Sequence, residues 1–380
     1  MTAWEIKGWC PGALRPMQSG DGLVVRIRPP MGRLTPQQAQ AIATAAQTHG
    51  NGIIDLSARA NLQLRGVTGT SHPRLIDDLR AQGLIDPDIQ TESLRNLIVT
   101  PFRDAESTAL AATLTAALAK MPKLPGKFGF ALDAGPRPVL TAASADIRVE
   151  RSADGRLILR PDGHPLGQPA TDLAADAVAM AEWFVRSGGI TNGRGRMAAL
   201  IARGLVPPNC TLAPAEPLPT PQPGLHADGA LVALAFGQMR SETLLALATL
   251  THEIRPTPWR MLLLVGATTL PAIPGLVTDP SDPILRVTAC TGAPACPQGQ
   301  GDTRTLARQL APLLPKGRAL HLSGCAKGCA HPAPADLTLT ATGQGYDLIL
   351  NGTASDMPSQ RNLTPQAIQD HLKALHAPYL

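Results

Sequence analysis

Apolar and polar positions along the chain predict alternating strands and helices, and the same order of elements occurs twice. In the first half, residues 23–28 predict a strand, 35–49 a helix, and a second strand ends in the LQLRG segment. In the second half, residues 230–236 predict a strand, 241–252 a helix, and a second strand ends in the LLLVG segment. With a following helix such as 72–83, each β-α-β pattern predicts a ferredoxin-like unit.

A larger α/β segment is predicted after the first of these units. Four strands are expected near residues 96–100, 128–133, 146–151 and 156–160, and an amphipathic helix at 171–187 closes the segment. Five prolines in CTLAPAEPLPTPQPG predict an extended linker between the halves. The expected domains are therefore 1–90, 91–209, the linker 210–224, 225–284 and 285–380.

Collinear sequence matches indicate that the two halves arose by duplication. GLIDPD at Gly83 returns as GLVTDPSD at Gly275, an offset of 192, and ADIRV at Ala145 returns as ADLTL at Ala335, an offset of 190. The segment that ends at Gly66 matches the one that ends at Gly266, an offset of 200. The alternative is that two helix–strand patterns share a similar rhythm.

Composition narrows the class of protein. A chain of 380 residues exceeds one usual core, so two or more domains are expected. The net charge is +5, yet Lys and Arg form no runs and aromatic residues are only 3%, which disfavours nucleic-acid binding. The N-terminus lacks an apolar signal region, and the longest apolar stretch, MLLLVGATTL, is about half a membrane span, so a cytoplasmic protein is expected.

The basic residues are mostly arginine, with 27 Arg against 7 Lys. The planar guanidinium fork suits carboxylates, so an acidic small molecule is one explanation. The base composition of the genome is the other.

Four of the six cysteines form two close pairs in the last quarter of the chain. Cys290 and Cys296 are separated by five residues, and Cys325 and Cys329 by three. Four thiolates on turns rich in Gly and Pro suit an iron–sulfur cluster. Zinc sites usually have two to four residues between paired cysteines, and a disulfide pair is disfavoured because nothing else suggests secretion. The remaining cysteines, Cys10 and Cys210, have no partner at useful spacing.

These features together resemble the sirohaem nitrite and sulfite reductase superfamily over nearly the whole chain. The resemblance implies an α+β class: a duplicated nitrite/sulfite reductase-like fold of two ferredoxin-like units, each followed by a larger α/β segment, with pseudo-twofold symmetry. The phrases CPGALRPMQSGDGLVVRIRP, IDLSARANLQLRG and SGCAKGCAHP resemble most closely the precorrin-3B synthase branch.

The resemblance also implies site residues. The cysteines would hold a 4Fe-4S cluster, and the basic positions of the reductases fall on Arg59, Arg95 with Asn96, and Lys127. The second lysine of the reductases' Lys-x-Lys motif falls on Gly129 and is absent. Substrate binding is expected at Arg59, Arg95, Asn96 and Lys127, and also at Arg194 and Arg196, which precede a helix in NGRGRMAALIARG. For Arg59 and Arg95 the alternative is a surface or structural salt bridge, and for Arg194 and Arg196 it is that they are merely solvated. No catalytic residue is assigned.

The function that the resemblance implies is a monooxygenase of aerobic cobalamin biosynthesis, converting precorrin-3A to the hydroxy-lactone precorrin-3B with dioxygen. No sirohaem is expected, but a mononuclear non-haem iron is allowed. The chain has no G-x-G-x-x-G after a strand, so electrons from NADH are expected through a separate reductase or ferredoxin. His331 could bind iron, hydrogen-bond a cluster sulfur or cap a loop. The alternatives are a sirohaem-dependent nitrite or sulfite reductase and a non-enzymatic electron-transfer protein.

Overall fold

The computed structural model describes residues 11–375, so Cys10 lies outside the described residues. Four sheets of five strands organise this part of the chain. They form two pairs of matching topology, and each pair has one sheet in each half. Helices cover one face of each sheet.

The first ferredoxin-like unit contains a sheet with the order β1-β2-β4-β3. Its long helix begins where the Thr35 side chain accepts from the backbone N–H of Gln38 and the Gln38 side chain accepts from that of Thr35, a capping box. Apolar residues of this helix, such as Ile42, face the sheet. The elements are β1 (Met17–Ser19), β2 (Gly22–Ile27), α1 (Pro36–His49), β3 (Ile53–Leu56), β4 (Leu62–Val67) and α2 (His72–Ala81).

The first larger segment has a mixed sheet with the order β5-β6-β7-β8-β9. Its first three strands are parallel and the last two are antiparallel. Two long helices bury Leu114 and Phe184 against the sheet. The elements are α3 (Ile89–Leu94), β5 (Leu97–Val99), α4 (Ala105–Ala117), β6 (Phe130–Asp133), β7 (Ile147–Arg151), β8 (Leu157–Pro161), β9 (Gln168–Pro169), α5 (Leu173–Arg186) and α6 (Met197–Ile201).

The second ferredoxin-like unit repeats the first with the order β10-β11-β14-β13. Its helix ends at Leu247 rather than near residue 252, where the sequence predicts the end. The Thr251 hydroxyl donates to the Val265 carbonyl at 2.6 Å, which fixes the chain next to the sheet instead. The elements are β10 (Gly224–His226), β11 (Gly229–Leu234), β12 (Gln238–Arg240), α7 (Ser241–Leu247), β13 (Ile254–Pro256), β14 (Met261–Val265) and β15 (Leu276–Val277).

The second larger segment repeats the mixed sheet with the order β16-β17-β18-β19-β20, again three parallel strands followed by antiparallel ones. The elements are β16 (Val287–Ala289), α8 (Thr303–Leu310), β17 (Leu320–Ser323), β18 (Ala335–Thr342), β19 (Gly345–Gly352), β20 (Gln360–Leu363) and α9 (Pro365–Ala374). Single 3-10 turns elsewhere span Pro30–Gly32, Leu118–Lys120, Ala235–Gly237, Pro283–Arg286 and Ala311–Leu313.

The halves exchange strands reciprocally. The second-half strand β12 pairs with β3, with Met239 opposite Ile54. In the equivalent place, Leu34 of the first half forms a bridge with Ile254 of β13, and their backbones exchange hydrogen bonds of 2.8 and 2.9 Å. Because the inner faces of both sheets then share one core with helices from both halves, the two ferredoxin-like units form one body.

Left-handed backbone positions recur at corresponding places in the two halves. Met31 has a φ of 49° and Phe236 a φ of 59°, and Ala60 has 56° where Arg260 has 62°. A non-glycine residue seldom adopts this conformation, so its repetition at offsets of 205 and 200 has a common structural origin. This recurrence and the matching sheet orders confirm the predicted duplication and α+β class.

The proline-rich segment between the halves is extended and lies against the first larger segment. Leu212 and Pro214 bridge to Gly167 and Ser152, and the Ala215 N–H donates to the Arg151 carbonyl at 2.8 Å.

None of the described helices is long and apolar enough to cross a membrane.

Candidate functional site

The two cysteine loops begin at the carboxyl ends of β16 and β17, at one edge of the sheet. These strands are parallel, with Ala289 opposite Leu322, so their carboxyl ends lie side by side. Cys290 directly follows β16, and Cys325 lies two residues after β17. The topology therefore brings both loops to one edge.

The thiols of the four cysteines lie close enough at this edge to affect one another electrostatically. Burial of the thiol raises the pKa of Cys329, and the other three cysteines raise it further, whereas Lys327 lowers it. The backbone N–H of Gly324 donates to Cys290 Sγ at 3.0 Å. All five described cysteines are free, so the disulfide interpretation is wrong for them.

Glycines allow the two loops to approach closely. A Cβ on Gly324 would lie 3.2 Å from Gly292 Cα, 3.3 Å from Gly299 Cα and 3.4 Å from Cys290 Sγ. Gly292 itself has a φ of 65°, which L-residues with side chains rarely adopt. The backbone of each loop can therefore come close to a group held between the thiols.

The thiol arrangement fits a multi-iron cluster better than a single ion. In the described part of the chain, no three or more His, Cys, Asp or Glu side chains are grouped to hold one metal ion. A four-iron cluster differs, because each thiolate binds a different iron and the four sulfurs surround a larger group. Tetrahedral zinc would require the thiolates to converge.

The first half contacts the first cysteine loop through the turn between β1 and β2. The carbonyl of Ala295 accepts hydrogen bonds from Ser19 Oγ at 2.7 Å, Gly20 N at 3.0 Å and Arg65 Nη2 at 3.3 Å. Arg65 is buried and also pairs with Asp21 at 2.7 Å. Arg65 therefore fixes the loop to the first ferredoxin-like unit.

Two of the basic residues predicted from the sequence, Arg59 and Arg196, meet at Ser144, and the backbone carbonyl of a third, Lys127, contacts Arg59. Arg59 Nη2 donates to the Lys127 carbonyl at 3.0 Å and to Ser144 Oγ at 3.2 Å. Arg196 Nη2 also donates to Ser144 Oγ, at 3.1 Å. We refer to Arg59, Lys127 and Arg196 as the Ser144 basic group.

Gly129 leaves space for this group. A Cβ at residue 129 would lie 3.1 Å from Arg59 Nη1, so the guanidinium lies next to the position that a side chain there would fill. Below it, Asp146 accepts from the Gly129 N–H and from Arg196 Nε, both at 2.9 Å. Burial raises the pKa of Asp146, while Arg196 opposes the shift.

The other three predicted residues do not join the Ser144 basic group. Arg95 forms a bidentate ion pair with Asp86 at 2.8 and 2.9 Å, and Arg194 is exposed in a turn. The Asn96 amide donates to three backbone carbonyls at 3.0–3.1 Å, those of Ser93, Gly126 and Phe128.

Sequence reasoning missed His321, which is fully buried on β17. Neither of its ring nitrogens has a hydrogen-bond partner among the described residues. Burial lowers its pKa to about 4, with contributions from His331 and Arg260. The two histidine rings lie 5.6 Å apart, and His331 Nε2 donates to the Pro334 carbonyl at 3.3 Å, which agrees with the loop-capping alternative.

Comparisons with known proteins agree with this fold. Residues 15–82 match the Nitrite/Sulfite reductase ferredoxin-like half domain family. The NirA protein of Mycobacterium tuberculosis has a similar structure, with a TM-score of 0.62, 17% identity, and coverage of 92% of this chain and 79% of NirA. A ferredoxin–nitrite reductase of Synechococcus elongatus is 32% identical, but over only 32% of this chain and 26% of the reductase.

A precorrin-3B synthase of a Sinorhizobium species aligns over much more of the chain. It is 30% identical over 419 aligned residues, which cover 93% of this chain and 84% of the synthase. Unlike the nitrite reductase match, this alignment extends over both halves. The chain therefore belongs to the precorrin-3B synthase family, which is built on the nitrite and sulfite reductase fold.

Proposed function

We propose that the protein is a precorrin-3B synthase that hydroxylates precorrin-3A with dioxygen in aerobic cobalamin biosynthesis. The observation that carries the proposal is the 30% identity to a precorrin-3B synthase over 93% of the chain. The nitrite reductase relatives align with 32% of the chain or less.

The proposal assigns a 4Fe-4S cluster to Cys290, Cys296, Cys325 and Cys329. A bound cluster would supply single electrons. The Gly324 N–H that donates to Cys290 Sγ would stabilise negative charge on that sulfur. The glycines where the loops meet keep side-chain volume out of the space between the thiols.

The Ser144 basic group is proposed to bind carboxylates of the substrate, with Arg194 adding exposed positive charge nearby in sequence. Guanidinium groups bind carboxylates with two parallel hydrogen bonds, which fixes orientation as well as position. Arg95 and Asn96 are proposed to shape the site indirectly, because their donors already hold Asp86 and three backbone carbonyls.

The proposed reaction consumes one dioxygen, two electrons and two protons. One oxygen atom becomes a hydroxyl on the meso carbon between rings A and D, and the other leaves as water. The ring A acetate closes onto the macrocycle as a γ-lactone. A separate NADH-dependent reductase or ferredoxin would supply the electrons. Because no described residues form a single-ion site, no side chain is assigned to a mononuclear iron.

Isotopically labelled dioxygen tests the proposal. Anaerobically purified protein is mixed with precorrin-3A, an electron donor and labelled dioxygen, and the product is analysed by mass spectrometry. One label is expected in the hydroxyl, because the lactone oxygen comes from the substrate's own acetate. An unlabelled product, or steady consumption of nitrite or sulfite by the same preparation without a tetrapyrrole, would contradict the proposal.

A further inference from the structure

Arg260 is a cation without a carboxylate partner in the described chain. It lies in the turn between β13 and β14, and its Nη2 donates to the Ala330 carbonyl at 3.3 Å. No described Asp or Glu oxygen lies within 4.0 Å of its nitrogens, although 21 such ion pairs form elsewhere in the described residues. Burial and the charge of Arg304 lower the pKa of Arg260. A partly buried, unpaired cation is costly, so an anion at this place would stabilise it.

Arg304 adds a second guanidinium with donors to spare. Its Nη1 pairs with Asp55 at 3.2 Å, but its buried Nε has no acceptor in the described part of the chain. Asp55 is shared, because it also lies 3.8 Å from Arg65 and accepts from the Gln238 side chain at 3.0 Å. The one nearby carboxylate therefore does not neutralise these arginines.

His321 supplies a third polar group that faces away from the core. Its neighbours Leu320 and Leu322 pack into the apolar core of the sheet, and strand alternation places the imidazole on the opposite face. There its ring lies 5.6 Å from that of His331, the residue after Ala330, whose carbonyl accepts the hydrogen bond from Arg260. A neutral imidazole offers one donor and one acceptor, and leaving either unsatisfied in a buried place is destabilising.

The charges determine which ligand this place can take. Two guanidinium groups would repel a metal cation, and among the described residues no three His, Cys, Asp or Glu side chains are grouped to hold one. The available groups are mainly donors: Arg260, Arg304 Nε and one imidazole nitrogen. Donors and positive charge together suit a carboxylate.

We propose that Arg260, Arg304 and His321 form a second anion site, which binds a carboxylate on the rim of the tetrapyrrole. That the bound anion is a tetrapyrrole carboxylate rests on the proposed function. That an anion binds here follows from the unpaired charge of Arg260. The Arg260 turn is the second-half counterpart of the turn that carries Arg59, at an offset of 200. A macrocycle bound by both turns is held at two places on its rim, and this fixes which meso carbon is presented.

Substitution of Arg260 tests the site with a defined probe. Binding of uroporphyrin, a porphyrin with eight carboxylates, is measured by fluorescence quenching for the wild-type holoprotein, Arg260→Gln and Arg260→Lys. Arg260→Gln should raise the Kd about tenfold or more, while Arg260→Lys, which keeps the charge, should retain part of the affinity. Arg240→Gln is the matched control, because Arg240 is exposed and pairs with Glu242 at 3.5 Å. An unchanged Kd in Arg260→Gln would overturn the proposal.

Two further measurements separate this inference from the proposed function. Iron and sulfide are quantified in every variant; if Arg260→Gln loses the cluster while its uroporphyrin Kd is unchanged, the charge serves the cluster and the anion site is wrong. Thermal stabilisation by malonate, a small dicarboxylate, is compared between wild type and Arg260→Gln. If the wild type binds no uroporphyrin, the proposed function fails, yet malonate stabilisation that disappears in Arg260→Gln would still support the anion site. Equal malonate stabilisation in both proteins would overturn it.

Discussion

The strand ends after β5 and β6 in the first half occupy the same place as those after β16 and β17 in the second. Thr100 N donates to the Leu132 carbonyl at 2.8 Å, and Cys290 N donates to the Leu322 carbonyl at 3.2 Å, which is the same bond at corresponding positions of the repeat. The scaffold is therefore conserved between the halves even though Thr100 stands where Cys290 does.

The loops that follow differ in what fills the edge. In the first half, the Asp133 carboxylate accepts from the N–H groups of Val139 and Leu140, both at 2.6 Å, and draws the loop back over the edge. Leu140 then packs with Trp259 and Phe102 in an apolar cluster. In the second half, the two cysteine loops meet at glycines in the equivalent place, and Cys290 Sγ lies beside them. One fold thus gives a closed apolar edge in the first half and, in the second, an edge that carries four thiols, which we call the open edge and propose as the cluster site.

The largest expected effect is loss of the cluster from the open edge. Cys325→Ser should reduce iron and sulfide content severely, because a serine oxygen is a poorer ligand for iron–sulfur clusters than a thiolate. Metal analysis and visible absorption measure this. Cys210→Ser is the control and should keep full content, and full content in Cys325→Ser would show that this cysteine does not bind a cluster.

Asp133 at the closed edge should make the free energy of unfolding depend on pH. Burial raises the pKa of Asp133 to about 6 from its ordinary value of 3.8, so the folded protein binds this proton more tightly than the unfolded chain. The contribution of Asp133 is therefore greatest well below pH 3.8 and falls by about 3 kcal/mol in total by the time the pH has risen above 6. Asp133→Asn should remove this decrease.

Denaturant unfolding of wild type and Asp133→Asn between pH 3.8 and 6 checks the prediction. The difference in unfolding free energy between them should change with pH in favour of the variant as the pH rises. A difference that is constant with pH would show that Asp133 does not titrate in this range.

The turns that carry Arg59 and Trp259 occupy corresponding places in the two halves but make different contacts. Trp259 packs into the closed edge, whereas Arg59 belongs to the Ser144 basic group. Arg59→Ala should weaken tetrapyrrole binding by about 1.5–3 kcal/mol, the range for a hydrogen bond to a charged group. Arg80→Ala serves as the control, since Arg80 is exposed on α2 and pairs with Asp77. Equal affinity of Arg59→Ala and wild type would make Arg59 a structural residue.

The smallest effect is expected at Gly324, where the two cysteine loops meet. Gly324 corresponds in the repeat to the buried Ala134 of the first half. Gly324→Ala should cost about 1–3 kcal/mol of stability or lower cluster content, because its methyl group would push the two cysteine loops apart. Gly135→Ala should be tolerated, since its Cβ would meet only the Arg137 carbonyl, at 3.9 Å, among the described residues. Thermal unfolding and iron content measure both variants.

The sequence determined the features that depend on local pattern and on repetition. Period-two and helical patterns located α1, α5 and the strands β5 to β8 to within about two residues, because one face of each is buried. Collinear matches at offsets between 190 and 200 predicted the duplication, and the matching sheet orders of the two halves confirm it. The spacing of the cysteines in loops rich in Gly and Pro predicted an iron–sulfur cluster, which stays a prediction.

The tertiary structure decided which charged groups meet. Arg59 and Arg95 are equally basic in the sequence, yet Arg95 donates from Nε and Nη2 to Asp86, while Arg59 joins Arg196 at Ser144. His321 carries no sequence signal, because its environment comes from the Arg260 turn, which is distant along the chain, and from burial on β17. Local pattern reports which face of an element is buried, whereas pairing between charges depends on contacts between distant segments, and those exist only once the sheets have packed.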